Sequence, residues 1–129
     1  MPTRVFRIIL EVGDSDRATG FYSRLLAMDG RKVGGGRVYF DCGAMILALL
    51  KSDGTPAPIP EYVYFAVDGL EAVHARAKDL DALSKEKVHG ESAADIVVRP
   101  WGERSFYAFD PWGNGLCFVD DQTLFTGRR

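Results

Sequence analysis

Apolar and polar positions alternate along Val5-Phe-Arg-Ile-Ile-Leu-Glu-Val12. Phe6, Ile8, Leu10 and Val12 fall on one side, and Arg7, Ile9 and Glu11 on the other. Period-two alternation predicts a half-buried strand. The period then changes. Gly13-Asp-Ser-Asp16 carries a helix N-cap signal with early acidic residues. Ala18, Phe21, Tyr22, Leu25 and Leu26 follow at the spacing of an amphipathic helix, with Gly30 as its stop. Gly34-Gly35-Gly36 reads as a turn. Arg37–Asp41 and Met45–Leu50 then read as a hairpin around Cys42-Gly43-Ala44.

Lys51 to Pro60 holds three of the six prolines and shows no period, which predicts a linker. The same order of elements then returns. Glu61–Val67 alternates like a strand. Asp68 is expected to start a helix, with Glu71 completing a capping box and Leu70, Val73, His74 and Ala77 on the inner face. Ile96–Val98 reads as a short strand. Ser105–Phe109 and Leu116–Val119 flank Asp110-Pro-Trp-Gly113, a type I turn signal.

The two halves superpose as patterns. Val12-x-Asp14 matches Val67-Asp68, and Phe40-Asp41 matches Phe109-Asp110. Asp14 to Asp41 spans 27 positions and Asp68 to Asp110 spans 42, so the second half carries 15 extra residues in its middle strands and loop. The pattern predicts an α+β chain of two tandem βαβββ units, about 3–54 and 60–122. These are expected to form one domain, joined by the Pro-rich linker 51–60. The expected architecture is a curved mixed sheet around a cavity, with the helices outside.

Composition adds exclusions. The 129 residues are 47% hydrophobic and 26% charged, which is ordinary for a globular domain. A net charge of −2 argues against a nucleic-acid partner. The longest apolar run, Ala44–Leu50, is far short of a bilayer span, so no membrane association is expected. No secretory apolar segment precedes Glu11, and two cysteines make no disulfide framework, so a cytoplasmic setting with reduced thiols is expected.

Strand alternation assigns faces. Phe6, Ile8, Leu10, Val12, Val63, Phe65 and Val67 are expected to cover the helices. So are Ile46, Ala48 and Leu50 in the first hairpin, and Leu116 and Phe118 in the second. The opposite face then holds Arg7, Ile9, Glu11, Leu47, Tyr62, Tyr64 and Cys117. That mixture of charged, aromatic and small residues suits a concave site for a small organic ligand.

Several of these segments together resemble the vicinal-oxygen-chelate superfamily, which includes glyoxalase I, bleomycin-resistance proteins, fosfomycin-resistance enzymes and extradiol dioxygenases. Arg7–Leu26, with its Phe21-Tyr22 pair before Leu25-Leu26, resembles the family's opening strand and helix. Phe109-Asp-Pro-Trp-Gly-Asn114 resembles its closing hairpin. The likeness covers residues ~3–122 of the chain. In catalytic members four side chains hold a divalent metal. The resemblance places those positions at Arg7, Leu47, Tyr62 and Cys117. Arg7 has no lone pair to offer and Leu47 no donor, so no metal and no cofactor are expected. His74 reads as a half-buried hydrogen-bonded residue, and His89 as a loop residue.

Arg99-Pro-Trp-Gly-Glu-Arg104 is similar to the Pro-Trp-Gly segment of the metal-free bleomycin-resistance proteins, which places Trp101 in a ligand groove. That branch works by sequestering a drug in grooves shared by a homodimer. The resemblance thus implies a metal-free protein binding an aromatic or drug-like ligand, with antibiotic resistance as its setting and a homodimer as its assembly. Its expected ligand contacts are Arg7, Leu47, Tyr62, Tyr64, Trp101 and Cys117, with no catalytic residue. Two alternatives stand beside it. One is a metal-independent or divergent lyase, transferase or dioxygenase-superfamily enzyme. It would use Cys117 as nucleophile, Tyr62 as acid and Arg7 as anion clamp. The other is a metalloenzyme with ligands shifted in register.

Overall fold

The computed structural model describes residues 3–127, and its first element is strand β1 (Arg7–Val12). Asp14 follows in extended conformation, and its carboxylate accepts the Arg17 N–H at 2.8 Å. That bond satisfies one of the donors a helix start leaves open. Helix α1 (Ser15–Leu26) buries Ala18, Phe21, Tyr22 and Leu25. It stops at Ala27, which turns left-handed at φ 53°, three residues before the expected stop at Gly30. Gly30 has another role. A Cβ there would stand 2.7 Å from Phe40 Cζ, so the bare backbone lets the chain pass over the Phe40 ring.

Strands β2 (Arg31–Gly34), β3 (Arg37–Cys42) and β4 (Met45–Lys51) complete the first unit, which ends at Ile59. Their order is β1-β4-β3-β2, with β1 and β4 parallel and the other pairs antiparallel. The βαβββ order requires strand β2, but no pattern in the sequence marks its place. Its four residues are all exposed and show no alternation.

The second unit starts at Pro60. It runs β5 (Tyr62–Val67), α2 (Leu70–Asp79), β6 (Lys87–Val88), β7 (Glu91–Ser92), β8 (Val97–Val98), β9 (Arg104–Phe109) and β10 (Gly115–Asp120). Its main sheet has the order β5-β10-β9-β8, again with one parallel pair, β5 and β10. The small β6–β7 hairpin lies in the segment that makes the second half longer. The α+β fold is therefore two βαβββ units with two mixed four-stranded sheets. Among the described residues no helix is long and apolar enough to cross a membrane.

Two expectations need correction. Helix α2 is capped by Gly69, left-handed at φ 72°, with no side-chain cap bond, so Asp68 does not cap it. Glu71 turns instead to Arg104, which also binds Asp120 at 3.0 Å and ties the helix to the sheet.

The second correction concerns β4. Leu47 lies opposite Ile8 and Phe40, and Leu49 opposite Leu10 and Val38. The Phe40 ring is 6.1 Å from that of Tyr22 on α1. Leu47 and Leu49 therefore face the helix, and Ile46, Ala48 and Leu50 face away, the reverse of the expected phase. Met45–Leu50 is apolar throughout, so its own pattern carries no phase. In the second unit the expected faces hold: Phe106 and Phe118 stack at 5.3 Å on the α2 side, with His74 edge-on to Phe106.

Candidate functional site

On the first unit, the face turned away from α1 carries Arg7 and Ile9 from β1, Ala48 and Leu50 from β4, and Arg37 and Tyr39 from β3. Together they line a depression of about 100 Å³. Ala48 lies between Ile9 and Tyr39 in register, and its short side chain makes the floor. Arg7 leans across the sheet. Its Nη1 donates to Tyr39 Oη at 3.3 Å, and its guanidinium lies 5.0 Å from the Phe6 ring and 5.9 Å from that of Tyr39. Such cation–ring contacts orient a guanidinium without neutralising it.

The remaining charges of this face are engaged. Arg31 grips Asp41 through two bonds of 2.7 and 2.8 Å. The Arg31 guanidinium holds the Asp41 carboxyl below the usual carboxylate range. Glu11 Oε1 accepts the Ala57 N–H at 3.1 Å. Among the described residues, no ion pair involves Arg7 or Arg37.

On the second unit, the face away from α2 is filled. Tyr107, Cys117, Val119 and Ala93 form a buried cluster, with Tyr62 and Val88 packed against it. The Tyr62 ring is edge-on to Tyr107 at 4.9 Å. It lies so close over Gly115 that a Cβ there would be 2.5 Å from it. Val88 and Ala93 come from the longer segment after α2. That segment also lays Ala82, Ser84 and Ala93 along β9 through backbone bonds to Tyr107 and Phe109. The extra residues thus close over Cys117, which is 0% exposed. Burial pushes its thiol up to about 12, and burial also raises the Tyr62 and Tyr107 hydroxyls. All three are protonated at neutral pH.

Tyr64 shares the face with Tyr62 and is 56% exposed. Trp101 stands outside the Cys117 cluster. Its indole N–H donates to Glu103 at 2.7 Å, and its ring meets His89 edge-on at 5.0 Å. His74 is on the helix side, with Nε2 2.8 Å from the Ala94 carbonyl oxygen. The structure thus brings Tyr62 and Cys117 together, keeps Arg7 on the first unit's open face, and puts Leu47 in the core on the other side of that sheet.

Two arginines escaped the sequence reading. Arg37 is one. Arg99 is the other, only 2% exposed, with its guanidinium 5.0 Å from the Tyr107 ring. Its Nε and Nη2 donate to Ser105 and to the Asp95 carbonyl, while Nη1 has no partner among the described residues. An arginine before Pro-Trp-Gly gives no sequence signal of burial.

The donor set does not fit a divalent metal. Arg7 has no lone pair, Leu47 is hydrocarbon facing a helix, and Tyr62 and Cys117 alone leave a tetrahedral ion two donors short. Among the described residues no group of three or more His, Cys, Asp or Glu could hold a metal ion.

Comparison with known proteins gives a consistent result. Residues 4–118 match the family model of the Glyoxalase/Bleomycin resistance protein/Dioxygenase superfamily. No curated protein matches. Among solved structures, the oxidase ChaP-H2 is similar at a TM-score of 0.75 and 18% identity, over 93% of this chain and 94% of that one. A glyoxalase/bleomycin resistance protein from Albidiferax ferrireducens T118 gives 0.72 and 20%, over 92% and 99%. A lactoylglutathione lyase from Agrobacterium tumefaciens gives 0.64 and 24%, over 92% and 94%. At these identities the likeness is one of fold.

Proposed function

The chain belongs to the glyoxalase/bleomycin resistance protein/dioxygenase superfamily, and from that premise we propose that it is a metal-independent protein that binds a small planar organic molecule. The observation that carries this reading is the first unit's open depression. It combines an apolar floor at Ala48, a ring at Tyr39 and an oriented guanidinium at Arg7. A flat ligand gains contact area on such a floor with few torsions to freeze. An acidic group on it would take charge-assisted bonds from Arg7. Tyr62, Tyr64 and Trp101 are proposed as further contacts on the second unit. Leu47 and Cys117 are supporting residues in this reading, because one faces a helix and the other is walled in.

Binding, with sequestration as its use, is favoured over turnover. The nucleophile required by the enzymatic alternative is Cys117, and a fully buried thiol titrating near 12 supplies almost no thiolate at neutral pH. The names of the oxidase and lyase neighbours describe those proteins and carry no residue of this site. We also propose that both units make one domain and that two chains associate. Units of about 60 residues bury little surface alone, and Val5 and Phe6 are 62% and 50% exposed.

The test is methyl and amide NMR of the purified protein with a panel of aromatic compounds. Shifts centred on Ile9, Ala48 and Leu50 are expected. A panel with no response there would refute the reading. Light scattering on the same sample is expected to give twice the 14.2 kDa chain mass, and a monomeric mass would refute the association.

A further inference from the structure

We propose that the depression on the first unit selects a planar aromatic acid with two anionic groups at opposite ends, held between Arg7 and Arg37. The proposal rests on the binding reading above and names the ligand class. The first argument is charge. Of the three arginines on this face, Arg31 is spent on Asp41 through a two-point contact. Glu11, across Leu50 from Arg37 in register, accepts the Ala57 N–H and keeps its charge, so the three arginines outnumber the two carboxylates of this face by one. Arg7 and Arg37 are left lining the depression with no ion pair among the described residues. Two cations beside an apolar floor favour a ligand that brings its own negative charge.

The second argument is register. Strand β4 lies between β1 and β3. Arg7 stands opposite Ile46, Arg37 opposite Leu50, and Ala48 is midway between. The two arginines therefore occupy opposite diagonal corners of a patch centred on Ala48. From strand spacing and rise, their Cα atoms are roughly 16 Å apart. Guanidiniums standing over their own corners leave room between them for one ring with acidic groups in para relation, and Arg7 leaves the Tyr39 hydroxyl to meet it. Groups in ortho relation would reach only one of them.

The third argument is the contrast between units. The equivalent face of the second unit is closed by its own longer segment over Cys117. The first unit lacks that segment, and Ile9 stays 48% exposed. The open face is also the one that carries Arg7 and Arg37, neither of them in an ion pair among the described residues.

Calorimetry with terephthalate, phthalate, benzoate and benzamide tests the proposal, with methyl NMR at Ala48 and Ile9 to locate each ligand. Terephthalate is expected to bind at least ten-fold tighter than phthalate or benzoate, and benzamide most weakly. Arg37→Gln is expected to bring terephthalate level with benzoate and leave benzoate within about two-fold. Arg7→Gln should cost terephthalate a similar factor. Arg37→Lys should recover part of the preference, and a thermal melt checks that each variant folds. Equal affinity for terephthalate and benzoate in the native protein, or an Arg37→Gln loss shared by benzamide, would overturn the two-point assignment and leave the binding reading standing. Absence of any aromatic ligand at the depression would remove both.

Discussion

Cys117 and Arg99 both pack around Ser105 and Tyr107, and both are closed to solvent. For Cys117, burial outweighs its hydrogen bonds and the nearby guanidinium, so the thiol is held neutral. The sign of the pH dependence follows. A folded-state pKa raised above the unfolded value near ~8.5 gives stability that is present below that pH and lost as pH rises toward the folded value. Wild type should therefore lose ~1.4 kcal/mol per pH unit relative to Cys117→Ala above pH ~8.5. Urea unfolding at several pH values measures that gap, and a constant gap would contradict the burial argument. In the native protein at pH 8, iodoacetamide should leave Cys117 unmodified by mass spectrometry. At this scale the sequence was partly legible. Arg7, Tyr62 and Cys117 lie on the faces that alternation assigned. Leu47 does not, because seven apolar residues in a row hide their phase. The Gly43-Ala44 turn held the missing information: Cys42 pairs with Met45 across it, and counting back from that pair sets Leu47 opposite Phe40.

Among the elements, the two helices start by different means. Asp14 caps α1 through a real hydrogen bond, whereas α2 starts from a left-handed glycine with no side-chain cap. Asp14→Ala should cost about 1 kcal/mol, within the usual range for a lost cap, while Asp68→Ala should stay within about 0.5 kcal/mol. Thermal or urea melts of the two variants decide this, and equal losses would contradict it. The Asp-x-x-Glu spacing misled at Asp68 because Gly69 intervenes and Glu71 has a stronger partner in Arg104. Strand β2 was illegible for another reason. It is an exposed edge strand of Arg, Lys, Val and Gly, held by pairing with β3 and not by any buried side chain. The duplicated order of elements was legible because it depends on long amphipathic segments, the part of a sequence where packing speaks most clearly.

For the whole molecule, the longer second half marks the main difference between the two units. Its extra residues fill the second unit's non-helix face, and the first unit has no such segment for its own. That asymmetry was visible in the sequence only as a length difference. Where the extra chain would go depended on backbone bonds along β9 that no local pattern announces. The central claim is that this protein binds its ligand with side chains alone, over the apolar floor between Arg7 and Arg37. Its most direct test is calorimetry of terephthalate binding in EDTA, repeated after saturation with zinc, nickel or iron(II). The account predicts the same affinity in every case and less than one-tenth of a metal ion per chain by elemental analysis after dialysis. Binding that appears only with a metal, or one metal ion per chain that is lost when Tyr62 or Cys117 is replaced, would contradict it.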